Sequence, residues 1–224
     1  MTSTALRRRL LFIPSSATSA HRRSSTSDGR AKLWPQRRGL EQLSRQADLL
    51  ITVDCGISSH DLVQQFSPVL DMIITDHHEP PEQIPPALAV LNPKQAGCPY
   101  PFKELAGAGV AYVLCRALWQ RHCHEDLPGY TDLAALGTIA DLVPLTGENR
   151  ILVRHGLAAM KEGKRTGIKA LLDASNLSGK DITPAVSPYG GAAPQCSRRI
   201  SHATKGVELL LETDAAKRRP MQPN

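Results

Sequence analysis

Between residues 47 and 177, short continuous apolar runs alternate with stretches of helical period, the pattern of strands separated by helices. "LLITV" (49–53) is rich in β-branched residues and unbroken by polar ones, which predicts a strand buried on both faces. It ends at Asp54, and Gly56 gives the chain room to turn. "SSHDLVQQF" (58–66) opens with hydroxyls suited to a helix N-cap, carries Leu62, Val63 and Phe66, and is stopped by Pro68. "DMIIT" (71–75) is the next strand, ending at Asp76, and "ALAVLNP" (87–93) a third. Leu40, Leu43 and Ala47 mark one face of a short helix before the first of these strands. Four further helices are predicted over 109–122, 131–140, 149–160 and 168–177. The first has Val110, Val113, Leu114, Ala117 and Leu118 on its apolar side, and the third includes Ile151, Leu152, His155 and Leu157.

The 22 residues from Asp54 to Asp76 suffice for a helical crossover between parallel strands. Both aspartates then stand at the carboxyl ends of neighbouring strands, the edge where open α/β sheets build their sites. The expected class is therefore α/β, a parallel sheet flanked by helices.

Composition changes the picture mainly at the ends. Residues 1–46 hold ten Lys/Arg against two Asp/Glu, residues 47–184 eleven against sixteen, and the last forty residues six against three. The net charge of +6 thus belongs to the flanks, while the middle is acidic, as a cluster of metal-binding carboxylates makes it. The first 46 residues are rich in Arg and Ser and show no clear period. An organellar transit segment, a disordered basic arm and sequence foreign to the fold all match that composition. Five scattered cysteines without a CxxC pair fit a reducing compartment. No run of 18 apolar residues occurs, which excludes a membrane-spanning helix.

The candidate chemistry lies in Asp54, Asp76, His77, His78 and Asp141. Mixed carboxylate and imidazole groups suit Mn²⁺, Mg²⁺ with fewer nitrogens, or Zn²⁺. A bridging aspartate can hold two such ions about 3.5–4 Å apart, an arrangement that activates water against phosphorus. Taken singly, an Asp after a strand is an ordinary turn residue and a lone His an ordinary surface or core group. Three adjacent metal-capable groups directly after a buried strand, with an aspartate one βαβ unit earlier, are not explained that way. His60, His122, His124 and His155 lack such a context. The glycines of "AGAGVAY" (106–112), just before a helix, suit either a phosphate or tight helix packing.

Four stretches, "LLITVDCGIS", "IITDHHEPP", "AVLNPKQAGCPYPFKELAGAGVAY" and "LAALGTIADLVPL", closely resemble the DHH phosphoesterase superfamily. DHHEPP, CPYPFKELAG and ADLVPL point within it to the RecJ-type single-strand-specific 5′→3′ exonucleases. The resemblance covers residues 40–183. It implies a Mn²⁺- or Mg²⁺-dependent hydrolase releasing 5′ mononucleotides from single-stranded DNA in recombination and repair, in a bacterial cytoplasm. It further implies that Asp54, His77 and Asp141 are metal ligands, with Asp54 bridging. By the same resemblance His78 would contact the scissile phosphate, and Asp76 would orient the adjacent histidine.

Departures from the pattern set further expectations. The family carries an earlier strand ending in Asp-x-Asp, whereas Asp28 and Asp48 are the only aspartates upstream of Asp54. The glycine- and arginine-rich loop expected near the other end is replaced by "SPYGGAAPQCSRRISHATKG", in which Arg199 and His202 are the candidate remnants of a phosphate contact. The DHH-like core is therefore expected to be incomplete at both ends. Residues 1–39 are then a basic, disordered or non-homologous segment and 184–224 a degenerate linker with a partial helix, both foreign or frame-shifted, and the partner domains of full-length relatives are missing. Two rival functions stand beside the nuclease: a DHH enzyme acting on small phosphates or short oligonucleotides, and a catalytically inactive fragment.

Overall fold

The computed structural model describes residues 37–174 together with the backbone of a strand at 10–14. The chain divides into two compact units, residues 1–103 and 104–224.

The first unit is built on a parallel sheet. β1 (Leu10–Pro14), β2 (Leu49–Val53), β3 (Asp71–Thr75) and β4 (Ala89–Leu91) lie side by side in chain order. Leu10 pairs with Leu49, Leu49 with Asp71, and Thr75 with Leu91. α1 (Arg37–Ser44) precedes β2, and α2 (His60–Phe66) joins β2 to β3 as the expected crossover. Their apolar faces close the core: Leu40, Ala47, Val63, Phe66 and Leu70 pack with Leu50, Met72 and Ile74 of the strands. Each such side chain contributes on the order of 1.5–3 kcal/mol by leaving water.

Two threonines on the central strands, Thr52 and Thr75, are fully buried. Burying a hydroxyl is costly unless it is bonded. Thr75 Oγ1 donates to the carbonyl of Thr52 (2.7 Å), and Thr52 Oγ1 to that of Cys55 (2.8 Å). The hydroxyls thereby lock the end of β2 to β3 and fix the turn that follows.

The second unit is helical: α3 (Gly107–Cys123), α4 (Thr131–Ala140), α5 (Gly147–Glu162) and α6 (Thr166–Ala174). Its core gathers Ala135, Ile139, Val153, Met160 and Ile168. Small residues set the crossings. A Cβ on Gly156 of α5 would collide with Ala135 Cβ and the Thr131 carbonyl of α4, and one on Gly137 with Ala108 of α3. Arg165 grips the buried Asp132 through Nε (2.7 Å) and Nη2 (3.3 Å), with its guanidinium 5.2 Å from the Tyr130 ring centre. Asn149, fully buried, donates from Nδ2 to the carbonyls of Glu104 (2.5 Å) and Pro144 (3.1 Å), holding the loop after α4.

Three sequence expectations need correction. The segment before residue 40, expected to lack regular structure, contains β1; five apolar residues, "LLFIP", suffice for a strand once β2 offers a parallel partner. Ser59 stands at the N-terminus of α2, yet its side chain makes no capping hydrogen bond. The apolar side of α3 is buried only at its first turns, at Gly107, Gly109 and Val110, whereas Leu118 is 53% exposed. The helix expected over 168–177 is α6 as far as Ala174, and residues 175–177 lie outside the described residues.

Candidate metal centre

Because β2 and β3 are parallel and Val53 pairs with Thr75, the two strands run out at the same sheet edge. Asp54 and Asp76 stand one residue beyond. The ladder continues past the strand ends: the Asp54 N–H donates to the Thr75 carbonyl (2.9 Å), and the Asp76 N–H to that of Leu91 (3.0 Å). Asp54 itself sits in left-handed backbone, φ +64°, and Gly56 follows at φ +113°. Aspartate tolerates this conformation better than most residues. It turns the chain away from the strand direction immediately at the carboxylate.

Asp76 is 1% exposed and its carboxylate is fully engaged. Oδ2 accepts the Ile57 N–H (2.9 Å), reaching back to the turn after β2. Oδ1 accepts the N–H groups of His77 (2.8 Å) and His78 (3.2 Å) and lies 2.7 Å from His78 Nδ1. An ionised carboxylate only accepts, so Nδ1 of His78 carries the proton and Nε2 is turned to other uses. Asp76 is thus spent on holding two turns and one ring.

His77 reaches Asp54 instead. Its Nε2 lies 3.1 Å from Asp54 Oδ1, with the two side chains 11% and 28% exposed. The His77 and His78 rings are tilted by 58° with centroids 4.5 Å apart. Asp54, His77 and His78 each offer one donor atom, all within 4.8 Å of one another. Ligands at 2.0–2.1 Å on adjacent corners of an octahedron are about 3 Å apart, close to the His77–Asp54 spacing. The donor set and its geometry therefore fit a divalent ion that accepts both nitrogen and oxygen.

Cys55, beside this cluster, is no nucleophile. Burial, with the negative charges of Asp76 and Asp54 adding to it, pushes its thiol up to about 12.

A residue that sequence reading passed over closes the site from the β4 side. Asn92, 2% exposed, donates from Nδ2 to the His78 carbonyl (2.8 Å) and accepts the Lys94 N–H on Oδ1 (2.9 Å). The available signal was an amide at a strand end directly before Pro93.

Of the sequence candidates, Asp54, Asp76, His77 and His78 come together at one sheet edge. Asp141 belongs to the second unit, one residue after α4, where its N–H donates to the Gly137 carbonyl (3.0 Å) and Leu142 follows at φ +58°. Arg199 and His202 lie outside the described residues. At the start of α3, packing uses the small residues of "AGAGVAY": Ala108 meets Gly137, and Gly109 faces Leu105 and Leu152.

Comparison with known proteins gives a consistent answer. Residues 1–138 match the model of the DHH family, N-terminal domain. Over 176 residues the chain is 46% identical to the single-stranded-DNA-specific exonuclease RecJ of Bacillus subtilis, covering 76% of this chain and 22% of that one. It is 41% identical over 186 residues to RecJ of Escherichia coli, covering 75% and 32%. The chain therefore spans about a fifth to a third of the length of these relatives. The fold matches the crystal structure of RecJ in complex with Mn²⁺ from Thermus thermophilus, with a TM-score of 0.67 and 36% identity over 81% of this chain and 27% of that one. A second structure, of exonuclease RecJ bound to manganese, matches with a TM-score of 0.64 and 37% identity over 79% and 45%.

Proposed function

The chain belongs to the DHH family, and from that premise we propose that it carries the metal- and phosphate-binding part of a RecJ-type, single-stranded-DNA-specific 5′→3′ exonuclease. The observation that supports this most directly is the Asp54–His77–His78 cluster at the carboxyl edge of the sheet, in a chain 46% identical to such an exonuclease. In this reading the working region runs from residue 40 to 183, the setting is a bacterial cytoplasm, and the role is recombination and repair. Among the described residues no helix is long and apolar enough to cross a membrane.

Asp54 and His77 would hold Mn²⁺ or Mg²⁺, and Asp141 is the further ligand that the family resemblance implies. A divalent ion held there would supply a water of lowered pKa and neutralise charge on the phosphate oxygens. His78 presents Nε2 to the scissile phosphate, because Asp76 occupies Nδ1. Asp76 holds the turn and ring without ligating, its oxygens already taken by three N–H groups and an imidazole. Arg199 and His202 are the proposed contacts to the nucleic-acid backbone.

A second reading, a weakly active or inactive member, is favoured by one observation. β1 occupies the sheet position beside β2, where the family resemblance calls for a strand ending in Asp-x-Asp, yet its sequence continues Pro14-Ser15-Ser16-Ala17 without a carboxylate. Fewer carboxylates leave the charge of a second ion poorly compensated. Mn²⁺-dependent release of mononucleotides from 5′-labelled single strands separates the readings. Processive 5′ degradation that disappears with His77→Ala supports the nuclease, and its absence supports the second reading. Hydrolysis confined to dinucleotides would instead point to a small-phosphate enzyme.

A further inference from the structure

The two histidines after β3 sit on a turn, and a turn alone does not fix a ring to the tolerance that phosphate chemistry needs. Side-chain hydrogen bonds reach this turn from two directions. Asp76 binds the His78 N–H and Nδ1 from within the turn. The other anchor comes from a different strand: Asn92, one residue past β4, donates Nδ2 to the His78 carbonyl. We infer that Asn92 is a positioning residue for His78, clamping the backbone of the turn so that the ring keeps Nδ1 on Asp76 and Nε2 toward the sheet edge. The role assigned to His78 rests on the nuclease reading; the clamp itself is a property of the metal-free fold.

Three features show the clamp is built rather than incidental. Asn92 is 2% exposed, although an amide at a strand end is ordinarily solvated. Its other end is fixed, Oδ1 accepting the Lys94 N–H, so the amide cannot rotate away without breaking two bonds at once. The loop beneath it is braced in turn, Gln95 Nε2 donating to the carbonyls of Val90 (2.9 Å) and Asn92 (3.2 Å). Lys94 Nζ reaches Glu79 Oε1, one residue after His78, at 2.9 Å. The segment 92–95 therefore grips the turn at 78–79 by one part-buried hydrogen bond and one ion pair at the surface.

The test separates the two ends of the amide. Asn92→Asp keeps an oxygen for the Lys94 N–H but sets a second oxygen against the His78 carbonyl; Asn92→Ala removes both contacts. The readout is the Nδ1-bound proton of His78 in ¹⁵N-edited spectra of the metal-free protein. In the wild type it should appear as a downfield, slowly exchanging line. Both variants should broaden it or speed its exchange at least about tenfold, while the amide resonances of β2 and β3 stay in place. An unchanged line in Asn92→Asp overturns the inference. Should both variants fail to fold, exchange of the Asn92 side-chain amide in the wild type decides it. Protection about tenfold beyond that of an exposed glutamine supports the clamp, and exchange at the exposed rate overturns it. A Mn²⁺ titration of the wild type is scored separately and judges only the nuclease reading.

Discussion

His77 Nε2 stands 3.1 Å from Asp54 Oδ1, joining the ends of two neighbouring parallel strands. The pair is separated by 23 residues of sequence, so its spacing is set by the sheet register and not by the local chain. A one-residue slip of β3 against β2 would carry the imidazole away from the carboxylate.

Removing either member should therefore show first in metal binding. Replacing an outer partner of a metal ligand typically costs 10–100-fold in affinity, and losing the ligand itself costs more. Asp54→Asn and His77→Ala are each expected to weaken Mn²⁺ binding by about 100-fold or more in calorimetric titration. The wild type should also gain thermal stability with Mn²⁺, about 2.7 kcal/mol at a hundredfold excess over Kd, and lose it on chelation.

Asp76 should behave differently, as a structural carboxylate. Asp76→Ala leaves the N–H groups of Ile57, His77 and His78 without their acceptor. Each buried donor so exposed costs on the order of 1–3 kcal/mol. Urea unfolding should shift by about 3 kcal/mol, more than for Asp54→Asn.

In the helical unit, Gly156→Ala places a methyl against Ala135 and the Thr131 carbonyl, and backbone cannot yield as a side chain does. A loss of about 1–3 kcal/mol is expected. Gly163→Ala is the control: its Cβ meets nothing within 4 Å, but φ is +65°, so the cost is the backbone conformation alone, roughly 1 kcal/mol. Chemical denaturation of the two variants should rank them in that order.

Nuclease activity of the chain is expected to be low, because no Asp-x-Asp occurs in the sequence upstream of Asp54. Release of nucleotides from 5′-labelled single strands should fall at least about a hundredfold below that of a full-length relative. Rates within tenfold would place the missing ligands elsewhere in the chain.

What could be read from sequence follows from where the signal is local. β2 and β3 were legible because unbroken β-branched runs ending at Asp54 and Asp76 have few alternatives. α4 was legible from a continuous apolar helix-forming run. β1 was not, since "LLFIP" lies in an Arg/Ser-rich setting and becomes a strand only by pairing with β2. The exposed end of α3 was misjudged for a related reason: Leu118 fits the helical period, but no described element covers it in the way that α4 covers Ala108. The cluster at Asp54, His77 and His78 was visible as an aspartate and two histidines directly after two strands. The part played by Asn92 was not, because it depends on a hydrogen bond to a backbone carbonyl 14 residues away.

The left-handed backbone of Asp54 has a consequence for how this sequence can drift. Its φ of +64° is a conformation that glycine adopts freely and aspartate only at some expense. Asp54→Gly should relax the turn, raising or preserving the unfolding midpoint in urea even as it deletes the carboxylate. A screen for stability alone would then favour a substitution that removes the carboxylate from the sheet edge. The backbone at this position thus favours glycine, while the 3.1 Å contact to His77 is what the carboxylate adds.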